Sequence, residues 1–545
     1  MAVFFLNFLN FINTSSMSPS LEIRNKKIKS IDYYANQTLK LCDSPVYKLD
    51  MSPFLLVIFG GTGDLSQRKL IPALYHLFLE KEMIKEFSII GLGQTEMTDK
   101  EYREFCRRAI QKYNPENYNK SRCEAFLEHF YYISGNLIEN EIYQKIKPKI
   151  LQLTITNKKE VKSNIIYYLA IPPKVVIPVV EQLNKFDLCK GTFHSKVIIE
   201  KPFGRDRKTA RKLNKLVLKA FEEEQVYRID HYLGKDTVQN IFFFRLSNTI
   251  FEPLWNRNYI SQVQITVAED IGIEGRGKFY EQTGVVRDMV QNHVMQLIAL
   301  VAIEPPVGFE PDYVRDEKVK VFHSIRMMDE KYLESYMIRG QYGPGKIKNH
   351  LVAGYRQEEY VSPDSNTPTF FFGKFYIDNW RWANVPFYVR TGKRLPRTLT
   401  EIYIQFKFPP LQLLGRSAQK MEPNAIRIGI QPDEEISLHL NVKQPGINNQ
   451  LVWVKLLFNY EETFKKKQRP AYERLIMDCM KGDLTLFARQ DGVEAMWSIV
   501  DPIIQWWESH SPKDFPNYPA GTWGPPEAAL LLEREGQKCR YKDIF

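Results

Sequence analysis

The chain has 545 residues, too many for one ordinary hydrophobic core, so two domains are expected. Hydrophobic residues make up 44% and charged residues 26%, the balance of a soluble globular protein, and 75 basic against 64 acidic residues leave a net charge of +11. The excess suits anionic partners, but no long Lys/Arg block concentrates it, which favours small phosphorylated ligands over nucleic acid.

The N-terminal stretch Val3–Ile12 is apolar, but it lacks a basic leading region and a small-residue cleavage site, and Asn7 and Asn10 break it. It is also too short to span a bilayer. Residues 1–50 are therefore expected to form a poorly structured extension, with Met17 and Met51 as alternative starts. Cys42, Cys106, Cys123, Cys189, Cys479 and Cys539 show no CxxC or metal-site spacing, which points to reduced thiols in a cytoplasm and to no structural zinc. No membrane partner is expected.

Leu55–Phe59 is a continuous apolar run, as in a parallel strand buried on both faces. It enters Gly60-Gly61-Thr62-Gly63-Asp64-Leu65-Ser66 and then a helical stretch from Gln67 to Leu79. Missing side chains let backbone N–H groups approach a pyrophosphate, whose charge the helix start favours. Against G-x-G-x-x-G, Gly61 and Gly63 fit and Ser66 stands third; an ordinary tight turn between strand and helix is the competing reading. Strand-like runs recur at Ser88–Leu92, Ile165–Leu169 and Val197–Ile199 with helical segments between them. The alternation predicts a Rossmann-like, doubly wound parallel sheet in a dinucleotide-binding domain over 51–230. Lys201, at the end of the strand Val197–Ile199, would project into the cofactor crevice, or else be a surface lysine before Pro202.

Tyr227–Lys235 then packs an aspartate, a histidine, two tyrosines and two cations into nine residues before a helix opening at Asp236. His231, Tyr232 and Lys235 at a helix start would make a pocket for a phosphate, whereas Asp230 would repel one and must face another group. The alternative is a charged loop whose ions pair among themselves.

Beyond residue 236 the period changes. Gln262–Val267, Glu401–Phe406, Ala425–Ile430 and Ile436–Val442 alternate apolar with polar or small residues, which predicts a mainly antiparallel sheet in an α+β domain over 231–545. A long helix is expected over Val285–Val301, and an irregular connection over Gly343–Thr369. His293 lies on that helix as a candidate general base or a satisfied core residue. At about 100° per residue, Asp288 would stand roughly 140° away, so a carboxylate partner for His293 would have to come from another segment. Val385–Arg397 is a second basic concentration, read as following a strand.

Taken together, Gly60–Leu65, Glu200–Gly204, Arg228–Lys235, Arg287-Asp288 with Gln291-Asn292-His293, Val314–Lys320 and Arg390–Lys393 resemble the glucose-6-phosphate dehydrogenase family in order and spacing. The likeness runs from about Leu55 to Pro525. It implies that His293 takes the proton from the C1 hydroxyl of glucose 6-phosphate while hydride leaves for the cofactor, and that Asp230 holds His293. It assigns His231, Tyr232 and Lys235 to the substrate phosphate, and Lys201, Glu269, Asp288 and Lys393 to the sugar. Gly60, Gly61, Thr62, Gly63, Asp64, Leu65, Gln94 and Lys201 would bind NADP. The reaction needs no metal, and the family implies a homodimer or homotetramer. Two positions depart from the pattern. Gln94 stands where an arginine usually meets the 2′-phosphate of NADP, with Arg68 and Lys69 nearby, which leaves NAD as an alternative cofactor. Thr398 replaces a basic residue often found five positions after Lys393, next to Arg397, and stands as a candidate sugar or phosphate contact. An NAD-using sugar-phosphate dehydrogenase and a catalytically silent NADP-binding sensor of the same fold remain the rival readings.

Overall fold

In the computed structural model the described residues are 53–537, apart from 82, 84–85, 155–163, 191–193, 412–420, 448–449 and 466–468. The expected extension over residues 1–50, Cys42 and Cys539 lie outside them. Six strands, β1 (Phe54–Phe59), β2 (Phe87–Gly93), β3 (Phe130–Ser134), β4 (Asn164–Leu169), β5 (His194–Ile199) and β6 (Val226–Arg228), form one sheet in the order β3-β2-β1-β4-β5-β6. Every pairing in it is parallel. Alternate residues of β1 feed two cores. Leu55, Val57 and Phe59 pack with the helices Asn140–Thr154 and Pro173–Lys185, while Phe54, Leu56 and Ile58 pack with Ile71–Leu79 and Asp99–Tyr113. Both faces are thus covered by helices, which is why β1 reads as an unbroken apolar run.

The chain moves outward from β1 to β2 and β3, then returns to place β4 on the other side of β1. That reversal opens the crevice in which such folds bind dinucleotides. β3 and β6, which periodicity did not reveal, are five and three residues long.

The second sheet has eight strands in the order β17-β16-β15-β14-β7-β13-β12-β8. Its members are β7 (Ile260–Ala268), β8 (Met337–Gly340), β12 (Phe370–Phe375), β13 (Phe387–Gly392), β14 (Leu399–Phe406), β15 (Ala425–Gln431), β16 (Glu435–Lys443) and β17 (Leu451–Asn459). It is mainly antiparallel, as expected, but β13 runs parallel to β7. The basic concentration Val385–Arg397 therefore contains a strand and does not merely follow one. The connection expected to be irregular also carries short strands: β10 (Gly345–Ile347) pairs with β11 (His350–Val352), and β9 (Tyr342–Gly343) pairs with β18 (Tyr518–Pro519). No described helix is long and apolar enough to cross a membrane.

The long helix is not a uniform α-helix. The helix Gly277–Val285 kinks at Gly284, where φ is +60°, and runs into a π-helical segment, Val286–Val294, followed by α-helix over Met295–Ala302. The first helix likewise opens as a π-helical segment, Ser66–Leu70, before Ile71–Leu79.

Candidate active site

The glycine turn sits where β1, β2 and β4 converge. Gly60 and Gly61 donate their N–H groups to Leu92 O at 2.9 and 2.8 Å, and Gly63 donates to Gly60 O at 2.9 Å. Gly60 has φ +85°, and a Cβ there would stand 2.4 Å from Ala170 O, so only glycine lets β1 and β4 meet this closely. Ser66, in the third fingerprint position, is buried and donates its hydroxyl to Gly60 O at 2.8 Å, closing the turn. The N–H groups of Thr62, Asp64 and Leu65 lie at the entry to the helix, where a helix supplies no acceptors of its own. This is a cradle of the kind a pyrophosphate fits. Gln94, just past β2, is exposed, and Arg68 pairs with exposed Asp64 at 3.6 Å.

Between the two sheets lies a cavity of about 490 Å³ that takes in Leu65, Lys201, His231, Asp288, His293 and Lys393. His231 and Tyr232 follow β6, Lys201 follows β5, and Glu269 and Lys393 follow β7 and β13. Because β7 and β13 are parallel neighbours, their carboxyl ends emerge together, and Lys393 Nζ meets Glu269 Oε2 at 2.6 Å. An antiparallel pair would have sent these two residues to opposite ends of the sheet.

His293 Nδ1 is hydrogen-bonded to Asp230 Oδ1, a partner from another segment. Lys201 Nζ stands 2.9 Å from His293 Nε2. An ammonium only donates, so Nε2 carries the lone pair and Nδ1–H points at the aspartate. Lys201 also donates to Asp288 O at 3.1 Å and to Asp288 Oδ1 at 3.3 Å. Here the geometry corrects the expected separation of Asp288 from His293. In a π-helix the ring closes at i→i+5, so residues five apart return to nearly the same side, and one lysine reaches both.

The charges are mutually adjusted. Burial opposes ionisation of Asp230, but His293 outweighs it and holds the aspartate at about 2. Asp288 is also held at about 2, against burial, by Lys201 and Lys393. Burial lowers the pKa of His293, Asp230 opposes that shift, and Lys201 adds to it. His231 falls well below its usual value through burial and the nearby His293. Lys235 is lowered to about 8 by burial. The result is a neutral imidazole beside two carboxylates.

Tyr232 lies face to face with the His293 ring at 4.2 Å between centroids, and its hydroxyl is 3.4 Å from Thr400 Oγ1. Lys235, the residue before the helix Asp236–Leu246, donates to Gln431 Oε1. Thr398 is not gathered in. Its hydroxyl donates to Asp270 Oδ1 at 2.6 Å, and Thr398 is absent from the lining of the cavity. Gln431 and Glu200, which no motif singled out as site residues, do line it; Glu200 accepts from Tyr168 OH at 2.5 Å. A glutamine at the end of an amphipathic strand carries no chemical signal, so only its place could reveal it. Asp230, His231 and His293 bring ligand-type atoms within 4.8 Å of one another, but the Lys201 ammonium at Nε2 disfavours a second cation there.

Family profiles described as the glucose-6-phosphate dehydrogenase NAD binding domain and the glucose-6-phosphate dehydrogenase C-terminal domain match residues 57–240 and 242–540. Glucose-6-phosphate 1-dehydrogenase of Aggregatibacter actinomycetemcomitans is 43% identical over 487 residues, covering 89% of this chain and 97% of that protein. The Bacillus subtilis enzyme of the same name is 41% identical over 482 residues, covering 88% and 97%. A solved glucose-6-phosphate dehydrogenase in complex with its substrate glucose-6-phosphate superposes with a TM-score of 0.82 at 33% identity, covering 90% of this chain and 98% of that one. The Mycobacterium avium glucose-6-phosphate 1-dehydrogenase gives 0.76 at 34% identity, covering 90% and 99%.

Proposed function

Because the chain belongs to the glucose-6-phosphate dehydrogenase family, we propose that it oxidises glucose 6-phosphate at C1 to 6-phosphogluconolactone, the first step of the oxidative pentose phosphate pathway. The observation that carries the chemistry is the buried His293–Asp230 pair, in which the Nε2 lone pair of His293 faces the cavity and is held by Lys201, the contact a substrate hydroxyl would replace. A bound nicotinamide dinucleotide supplies the acceptor for the C1 hydride. His293 takes the hydroxyl proton, so C1 gives up its hydrogen with two electrons, its oxygen gives up a proton, and the carbonyl of the lactone forms between them. Asp230 fixes the ring and stabilises the imidazolium as it forms. His231, Tyr232 and Lys235 hold the phosphate, while Lys201, Glu269, Asp288 and Lys393 hold the sugar hydroxyls. Binding the unreacting phosphate orients C1, so remote contacts serve the chemical step.

NADP is the preferred cofactor in this reading, since Gln94 offers no carboxylate to the ribose as an NAD site would, while Arg68 and Lys69 supply nearby positive charge. Gln94 brings no charge of its own, so discrimination against NAD is modest. We assign the enzyme to the cytoplasm as a homodimer or homotetramer. Support for assembly comes from half-exposed Val442, Trp453 and Leu457 on β16 and on β17 at the sheet edge.

The test is the initial rate of cofactor reduction with glucose 6-phosphate, comparing NADP with NAD and wild type with His293→Asn. Rapid reduction that the variant loses supports the assignment. A folded protein that binds either cofactor but reduces neither would overturn it in favour of a silent sensor.

A further inference from the structure

The helix Pro311–Ser324 carries the run Val314–Lys320, which the proposed reaction leaves unused. Its buried residues are Val314, Arg315, Lys318, Val321 and Phe322, so two cations point inward. Arg315 donates to Asp312 Oδ1 at 2.6 Å. Lys318 is only 4% exposed and makes no hydrogen bond or ion pair with the described residues. It borders a cavity of about 160 Å³ whose walls include Leu233, Val238, Phe242 and Leu300, with half-exposed Phe243 and Phe309 at the edge. Phe309 stacks on Phe243 at 5.1 Å and meets Phe242 edge-on at 5.1 Å, so the entrance is aromatic.

Of the other charged groups of this lining, Arg474 is ion-paired, donating to Asp478 Oδ2 at 2.9 Å, and Asp483 accepts from the Thr485 backbone N–H at 2.8 Å without bonding Lys318. Asp230 bears electrostatically on Lys318 but is bonded to His293. Lys318 is therefore a buried ammonium beside apolar walls; no carboxylate bonds it directly and its charge is balanced only at a distance by Asp230, an arrangement that leaves room for an anionic occupant. Burial lowers its pKa to about 8, which leaves it mostly protonated at neutral pH.

We propose that this cavity binds a small aromatic or branched-chain monocarboxylate, with the carboxylate on Lys318 Nζ and the apolar body among Leu233, Val238, Phe242 and Phe309. Size agrees with that class. The cavity exceeds the roughly 10–15 Å³ needed for one water but lies below the roughly 300 Å³ at which pockets for drug-sized ligands begin. Leu233 belongs to the loop that carries Asp230 and His231, so an occupant would touch the back of the catalytic segment.

The probe is benzoate, titrated calorimetrically into the full chain beside its neutral counterpart, benzyl alcohol. Benzoate is expected to bind about tenfold or more tightly than benzyl alcohol, as a charge-assisted contact warrants. Lys318→Met should remove that advantage while benzyl alcohol binding persists. Phe309→Ala, at an exposed position, should weaken both ligands without disturbing the fold. Lys393→Met, in the catalytic cavity, should leave benzoate binding unchanged. Equal affinity for acid and alcohol, retention of the advantage in Lys318→Met, or its loss in Lys393→Met would each overturn the proposal.

Discussion

The protonation of His293 is set by the groups packed against it. Its pKa lies below the ordinary 6.5 because burial disfavours the charged ring, and Lys201 adds to that effect. The base-competent form should therefore persist below pH 6.5, with kcat falling only on further acidification. Asp230→Asn removes the charge that favours the imidazolium, so the acid limb of the kcat profile should move to still lower pH while kcat itself drops; a limb that stayed in place would contradict the pairing. His293→Asn should lower kcat by about 10²–10⁴ with a much smaller change in KM, as loss of a positioned base requires. Asp230 also bears on stability. Its folded pKa of about 2 lies below the ordinary 3.8, so its contribution is complete above pH 3.8 and is lost as pH falls through about 2. At the cofactor end, Gln94→Arg should raise the ratio of kcat/KM for NADP over NAD by about tenfold, because a guanidinium meets a phosphate that a glutamine can only hydrogen-bond. Steady-state kinetics with both cofactors measures this directly.

Elements decide how those residues meet. The π-helical turn from Val286 to Val294 puts Asp288 and His293 within reach of one lysine, which counting at α-helical period did not anticipate. Nothing in the local residue types distinguishes i→i+4 from i→i+5 bonding, since the preference arises where the helix packs, beyond the kink at Gly284. β13 was obscured for a related reason. Its residues Phe387–Gly392 are buried throughout, so the polar–apolar alternation that revealed β16 is weak there. At the glycine turn, Gly60→Ala would set a Cβ 2.4 Å from Ala170 O at a φ of +85°. The expected cost is about 1–3 kcal/mol of stability, together with weaker cofactor binding, read by thermal unfolding and by fluorescence titration.

Across the whole molecule, the dinucleotide-binding sheet depends on residues far along the chain. Leu475, Ile476 and Cys479 of the helix Ala471–Lys481 share a core with Leu56 and Ile58 of β1. Lys196 of β5 donates to Cys479 O at 2.8 Å and to Met480 O at 3.2 Å, fastening that helix to the sheet. Residues 51–230 are a contiguous stretch of sequence whose packing is completed from outside it. Leu475→Ala should cost about 2–5 kcal/mol and destabilise β1 along with the distant helix, which amide exchange at Leu56 and Ile58 would show. Protection there unchanged from wild type would mean that the helix is dispensable to the sheet.

The sequence alone determined the parts that local chemistry encodes. These are the two-faced apolar strand β1, the glycine turn, the change from a parallel to an alternating pattern, and the dense Arg228–Lys235 run whose aspartate had to face something other than a phosphate. Tertiary structure decided which groups meet. It brought His293 to Asp230, joined Glu269 to Lys393 through the parallel β7–β13 pair, added Gln431, and turned Thr398 towards Asp270. The physical reason is that turn geometry and burial period are properties of neighbouring residues, whereas a hydrogen bond between residues 63 positions apart depends on how whole elements pack.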